Sequence, residues 1–125
     1  MKVLDTSVAV DHLRGFPAAV ALLQRLVESG EEIVACEVVR FELVAGVRDE
    51  AREALEEFFS IPSWLPIDAE IARRAGELAR RFRASHSGID TADYLIAAAV
   101  QLLDAELLTT NVRHFPMLRG LRAPY

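Results

Sequence analysis

Four polar residues lie at the ends of apolar runs that are far apart in the chain. They are Asp5 in VLDTS, Glu42 in RFELVAG, Asp93 in ADYLIAAA and Asn111 in LLTTNVRHF. An acid that closes a hydrophobic strand or opens a hydrophobic helix sits at the edge of a core. Several such acids in one small domain can converge on one edge. Two carboxylates 4 Å apart repel by roughly 4 kcal/mol at an effective dielectric near 20. Three strain a domain whose total stability is only about 5–15 kcal/mol. Either the acids stay apart, or one is protonated, or a cation binds. An all-oxygen set favours Mg2+ or Mn2+, which keep several waters and reach a phosphate through them. Such an ion activates water for in-line attack on a phosphodiester and stabilises the departing oxygen. The chemistry these residues point to is metal-dependent hydrolysis of phosphate esters.

The elements that must position them are legible from periodicity and caps. Residues 2–4 (KVL) form a short buried strand ending at Asp5. Thr6 and Ser7 suit the cap of a helix over 7–14, which Gly15 stops. A helix over 18–28 places Val20, Leu23 and Val27 on one face, and IVAC closes a second strand at 32–36. A helix over 37–47 carries Glu42 and Gly46 four residues apart, on one side. Another, over 49–59, begins at Asp49 and offers Leu55, Phe58 and Phe59 to the core. Pro62 and Pro66 bracket a third strand near 64–67, and Asp68 caps a helix over 69–84 with the stripe Ile71, Ala75, Leu78 and Phe82. After the loop HSGID, Asp90 or Thr91 opens a nearly all-apolar, central helix over 91–103. ELLTT gives a fourth strand over 106–110 with Asn111 just past it. HFPML suggests one helical turn, and a last edge strand is expected over 121–124, confined to an edge by Pro124.

Strands alternating with helices at this spacing predict an α/β fold: a single domain with a parallel four- to five-stranded sheet, flanked by helices on both faces. In such sheets ligands bind outside the carboxyl ends of the strands, which is where Asp5 and Asn111 fall. Membership of Glu42 and Asp93 depends on how their helices pack.

Composition narrows the function classes. The chain has 125 residues, 52% of them hydrophobic, enough for one core and too apolar for general disorder. The single cysteine, Cys36, forms no internal disulfide and reads as a small buried hydrophobe. No Cys/His cluster suggests structural zinc. No run approaches the roughly 18 apolar residues of a spanning helix. Met1-Lys2 leads directly into VLDTS without a leader-like stretch, so the expectation is a soluble cytosolic protein without a membrane partner. The formal charge of −5 argues against non-specific nucleic-acid binding, yet Arg73, Arg74, Arg80, Arg81 and Arg83 cluster within eleven residues. That run reads first as a solvated helix face. Arg113, beside Asn111, is the better phosphate contact, and His114 reads as structural.

Each acid also has a plainer reading. Asp5 can cap the helix after it, Glu42 can be an exposed helix residue, and Asp93 can serve the helix dipole as a first-turn acid. Asp90 is better read as a cap than as a ligand. Asn111 can be a turn residue.

Taken as an ordered set, Asp5 in VLDTS, Glu42 with Gly46 in ELVAG, Asp93 in ADYLIAAAV and the segment TTNVRHF resemble the PIN-domain ribonucleases, and among them the VapC toxins of bacterial toxin–antitoxin pairs. The resemblance spans about residues 2 to 116, and makes the whole chain, 1–125, one PIN domain. It implies a Mg2+-dependent endoribonuclease in which Mn2+ substitutes. It implies an RNA substrate, a homodimer, and a VapB-type antitoxin whose tail occupies the active-site groove. Carried over by motif, Asp5, Glu42 and Asp93 are the acidic, metal-holding core. Asn111 takes a fourth catalytic position often filled by Asp; as an amide it brings no charge. Thr6 and Ser7 would orient a carboxylate. An inert PIN-fold binding module is the competing function, disfavoured by three intact acids. A haloacid-dehalogenase-type phosphatase needs a second Asp where Ser7 stands. A phosphorylation receiver needs a late Lys, and Lys2 is the only lysine. No GxxxxGK[ST] loop is present.

Overall fold

The computed structural model describes residues 1–125. The chain runs β1 (Lys2–Leu4), α1 (Thr6–Leu13), α2 (Pro17–Glu28), β2 (Ile33–Cys36), α3 (Glu37–Gly46), α4 (Arg52–Phe58), β3 (Ser63–Leu65), α5 (Ala69–Phe82), α6 (Thr91–Leu103) and β4 (Glu106–Leu108). Single 3-10 turns stand at Asp49–Ala51 and Val112–His114. The four strands form one parallel sheet in the order β3-β2-β1-β4. Successive strand residues point to opposite faces, Val3 and Leu4 are both wholly buried, and every residue of β2 is buried. Helices therefore cover both faces of the sheet's centre. One apolar cluster of 26 buried residues joins the sheet to all six helices.

The strand order reverses beside β1: β2 and β3 lie to one side of it and β4 to the other. That reversal opens a crevice at the carboxyl ends of β1 and β4. The register there is Val3 opposite Leu107 and Leu4 opposite Leu108, so Asp5 and Thr109 follow as the next pair.

α6 is buried at Asp93, Tyr94 and every position from Ile96 to Val100, and packs mainly on α5. α5 is amphipathic, with Ile71, Ala75, Leu78 and Ala79 inward; Phe82 is half-buried. The Asp68 carboxylate caps α5 by accepting from the Ile71 N–H at 2.9 Å.

Several sequence expectations need correction. The helix expected over 49–59 divides into a 3-10 turn and α4. α2 buries Ala19, Leu22 and Leu23, whereas Val27 is 56% exposed; the helix is rotated so that Leu22 and Leu26, not Val20 and Val27, flank Leu23. The helical turn near HFPML lies earlier, at Val112–His114. The edge strand expected over 121–124 is absent, so the sheet has four strands. Pro124 lacks the N–H a ladder needs, and side chains anchor this segment instead. The Tyr125 ring packs on Phe16, and its hydroxyl donates to Asp11 Oδ2 at 2.7 Å. Burial, followed by that carboxylate, raises the Tyr125 phenol pKa.

Candidate active site

The site is built from the crevice outward. Asp5 is 3% exposed and continues the β1–β4 pairing, its N–H donating to the Leu108 carbonyl at 3.0 Å. It occupies the N-cap position of α1, yet its side chain makes no capping bond. The carboxylate is held from the other side. Thr109 Oγ1 donates to Asp5 Oδ2 at 2.6 Å and Ser7 Oγ donates to the same oxygen at 2.7 Å. Both hydroxyls also accept: Thr109 Oγ1 from the Asn111 N–H at 2.9 Å, and Ser7 Oγ from the Thr110 N–H at 3.1 Å. Two backbone donors past β4 are thus relayed through two hydroxyls onto one carboxylate oxygen. Each link polarises the next.

The other acids are held in a similar way. Glu42, half-buried on α3, accepts from Thr6 Oγ1 at 2.7 Å through Oε1. Asp93 lies in the first turn of α6 and forms a reciprocal capping box with Asp90. The Asp93 N–H donates to Asp90 Oδ1 at 2.9 Å, and the Asp90 N–H donates to Asp93 Oδ2 at 3.1 Å. His114 Nδ1 stands 3.2 Å from the same Asp93 oxygen. All hydrogen bonds from the protein therefore fall on one oxygen of each carboxylate. Asp5 Oδ1, Glu42 Oε2 and Asp93 Oδ1 have no protein donor.

Asp5, Glu42, Asp90, Asp93, Asn111 and His114 line one cavity of about 300 Å3, together with Asp11 of α1. No lysine or arginine lines it. Burial pushes the Asp93 carboxyl from 3.8 up to about 6; the charges of Asp90 and Asp5 push the same way, against the Asp90 N–H and His114. The site is electrostatically unfinished.

No three of its side chains close in far enough to cage an ion alone. Mg2+ does not require such a cage, since it is commonly bound through one or two carboxylates and keeps the rest of its shell as water. The carboxylates offer only oxygen, buried acids repel there, and Asp5, Glu42 and Asp93 each have one oxygen without a donor. The residues fit a hard dication.

The structure thus brings Asp5, Glu42, Asp93 and Asn111 to one place. Asn111 is exposed at the rim, and its N–H is engaged by Thr109. Thr6 and Ser7 do not cap α1; their hydroxyls serve Glu42 and Asp5. Asp90 is the cap of α6 and a lining residue as well. His114, read as structural, faces Asp93 instead. Thr109 and Asp11 were not legible as site residues. Thr109 had a signal in hindsight: a hydroxyl residue directly after ELL, one register step beyond Leu4–Leu108. That step requires knowing that β4 pairs with β1. The arginine run at 73–83 lies along α5, and neither it nor Arg113 lines the cavity.

Two outcomes follow from this geometry. Thr109→Val keeps the shape but strips a donor from Asp5 and an acceptor from Asn111. It should lower stability by about 1–3 kcal/mol in urea unfolding; a change near zero would show that the relay holds nothing. Asp93 binds its proton more tightly folded than unfolded. Its contribution is most favourable below pH 4 and is lost as pH rises through about 6. In EDTA, Asp93→Asn should therefore melt higher than the wild type at pH 8, with the gain shrinking toward pH 4. A difference independent of pH would contradict the assignment.

Comparison with known proteins places the chain in company. The family model described as "PIN domain" matches residues 2–119. The chain is 60% identical to "Ribonuclease VapC19" of Mycobacterium tuberculosis over 125 residues, covering 100% of both. It is 38% identical to "Ribonuclease VapC10" of the same organism, covering 100% of this chain and 93% of that one. Among solved structures, VapBC2 from Rickettsia felis, bound to a DNA fragment from its promoter, superposes with a TM-score of 0.81 at 22% identity, covering 98% of this chain and 96% of that one. At that identity the likeness speaks for the fold.

Proposed function

The chain belongs to the PIN-domain family, and from that premise we propose that it is a metal-dependent endoribonuclease acting as the toxin of a toxin–antitoxin pair. We assign residues 1–125 to this one domain. The observation that carries the reading is the trio of carboxylates around one cavity, each fixed through one oxygen and open at the other. Full-length 60% identity to a protein named as a ribonuclease supports the substrate class.

In this reading Asp5, Asp93 and Glu42 hold Mg2+, for which Mn2+ substitutes. The bound ion supplies a nucleophile from water at neutral pH and charge stabilisation for the departing oxygen. The protein supplies placement. The hydroxyl relay keeps Asp5 from rotating toward its own helix. Thr6 aims Glu42, and the capping box with His114 aims Asp93. Asn111, neutral, orients the phosphate or a water by its amide rather than by charge. Hydrolysis of this type leaves a 5′-phosphate. A VapB-type antitoxin is the proposed protein partner, and a homodimer the proposed assembly. No helix is long and apolar enough to cross a membrane.

Purified protein should cleave RNA with Mg2+ or Mn2+ and stop in EDTA, and Asp5→Asn should lose about 10²-fold or more of that activity. Millimolar Mg2+ or Mn2+ should raise the wild-type melting temperature more than Ca2+ or matched salt, and should not raise that of Asp5→Asn. Cleavage that survives both EDTA and Asp5→Asn would refute the proposal.

A further inference from the structure

A second groove opens directly beside the acidic cavity, between α1 and α3. It has a volume of about 460 Å3, within the range of roughly 300–1,000 Å3 common for ligand pockets. Val10 and Glu42 line both cavities, so the two adjoin. Its character is different. Leu13, Leu43 and Val47 give it apolar walls, and Arg14 and Arg48 stand on it. Both arginines are exposed, and neither forms a salt bridge with any acid of the chain.

Gly46 also lines this groove and closes α3 four residues after Glu42. Nothing in the fold requires glycine there. Its φ is not in the left-handed region, and a Cβ built on it meets no atom within 4 Å. A side chain there would meet open space at the border of the groove.

We propose that this groove seats the nucleotide flanking the cleaved phosphodiester of a single-stranded RNA. Arg14 and Arg48 would contact backbone phosphates, the apolar walls would take the base, and Gly46 would leave it room. This deepens the ribonuclease reading and rests on it. The charge distribution favours RNA as the occupant. The acidic cavity has no lysine or arginine among its side chains, so a polyanion needs positive charge nearby. Arg14 and Arg48 supply it in the adjoining groove, on a protein whose formal net charge is −5.

The test uses a fluorescein-labelled 12-nucleotide single-stranded RNA, bound in EDTA so that it is not cut, with anisotropy read from 50 to 300 mM KCl. Arg14→Ala and Arg48→Ala should each weaken binding and each lower the slope of log affinity against log salt by about 0.7, one single-strand phosphate apiece. Gly46→Val should weaken binding about tenfold with the slope unchanged. Gly46→Ala should melt no lower than the wild type, which separates filling the groove from unfolding. With Mg2+ present, the same variants should raise KM for cleavage while kcat stays near the wild-type value. Arg80→Ala, on α5, and Arg83→Ala, at its C-cap, should match the wild type throughout. RNA affinity and salt slope unchanged in the three groove variants would overturn the inference. So would a slope that falls only with the α5 variants, or variants that bind RNA normally but lose inhibition by a cognate antitoxin, which would give the groove to a protein partner. Wild-type protein that shows no metal-dependent cleavage would instead fail the parent reading.

Discussion

The pairing of β1 with β4 sets the buried centre of this site. Its register puts Asp5 opposite Thr109 at the one place where the strand order reverses. A one-residue slip in a sheet turns every side chain to the other face. Here a slip would send Thr109 away from Asp5 and leave a carboxylate that is 3% exposed without its strongest donor. A buried charge without a hydrogen-bonding partner is among the costliest defects a small fold can carry. The seam and the carboxylate therefore depend on each other: the apolar register of Val3, Leu4, Leu107 and Leu108 aligns the strands, and the hydroxyl makes the aligned acid tolerable.

The same device recurs with local variation. Asp5 takes hydroxyls from Ser7 and Thr109, Glu42 takes one from Thr6, and Asp93 takes a backbone N–H and faces His114. Each acid is anchored through a single oxygen. Anchoring through both would leave neither oxygen free for a ligand; anchoring through none would let them splay into solvent. What remains is a compact field of negative charge, felt most by Asp93, whose carboxyl is pushed up to about 6 chiefly by burial. Carboxyls perturbed in this way cluster at functional sites. Lysine and arginine are absent from the acidic cavity, and arginines stand in the next groove, at Arg14 and Arg48. A hard cation for the acids and arginines for a polyanionic chain is a coherent division of labour.

Much of the fold was legible because it is written in local signals. Asp68 and Asp90 announce their helices by capping them, and α6 shows its burial in an unbroken apolar run. The four polar positions were visible because each interrupts or ends such a run. The misses have one cause: they depend on contacts between elements. The rotation of α2 is fixed by what lies against it, so Val27 and Leu22 exchange places relative to the simplest periodic reading. A last strand was expected over 121–124, confined to an edge by Pro124, but Tyr125 found Asp11 and Phe16 instead. Thr109, His114 and Arg48 acquire meaning only after folding brings β4, the turn after it and the end of α3 beside residues many positions away. The dense arginine run on α5 drew notice by sequence density, while the two arginines beside the site are isolated in the sequence and gave no signal.

The central claim is that Asp5 and Asp93, clamped from behind, present their free oxygens to one hard dication. The most direct measurement is anomalous diffraction from crystals of the protein grown with millimolar Mn2+. The account predicts a manganese peak in the acidic cavity, in contact with both Asp5 and Asp93. A manganese ion bound elsewhere, with that cavity holding only water, would contradict it.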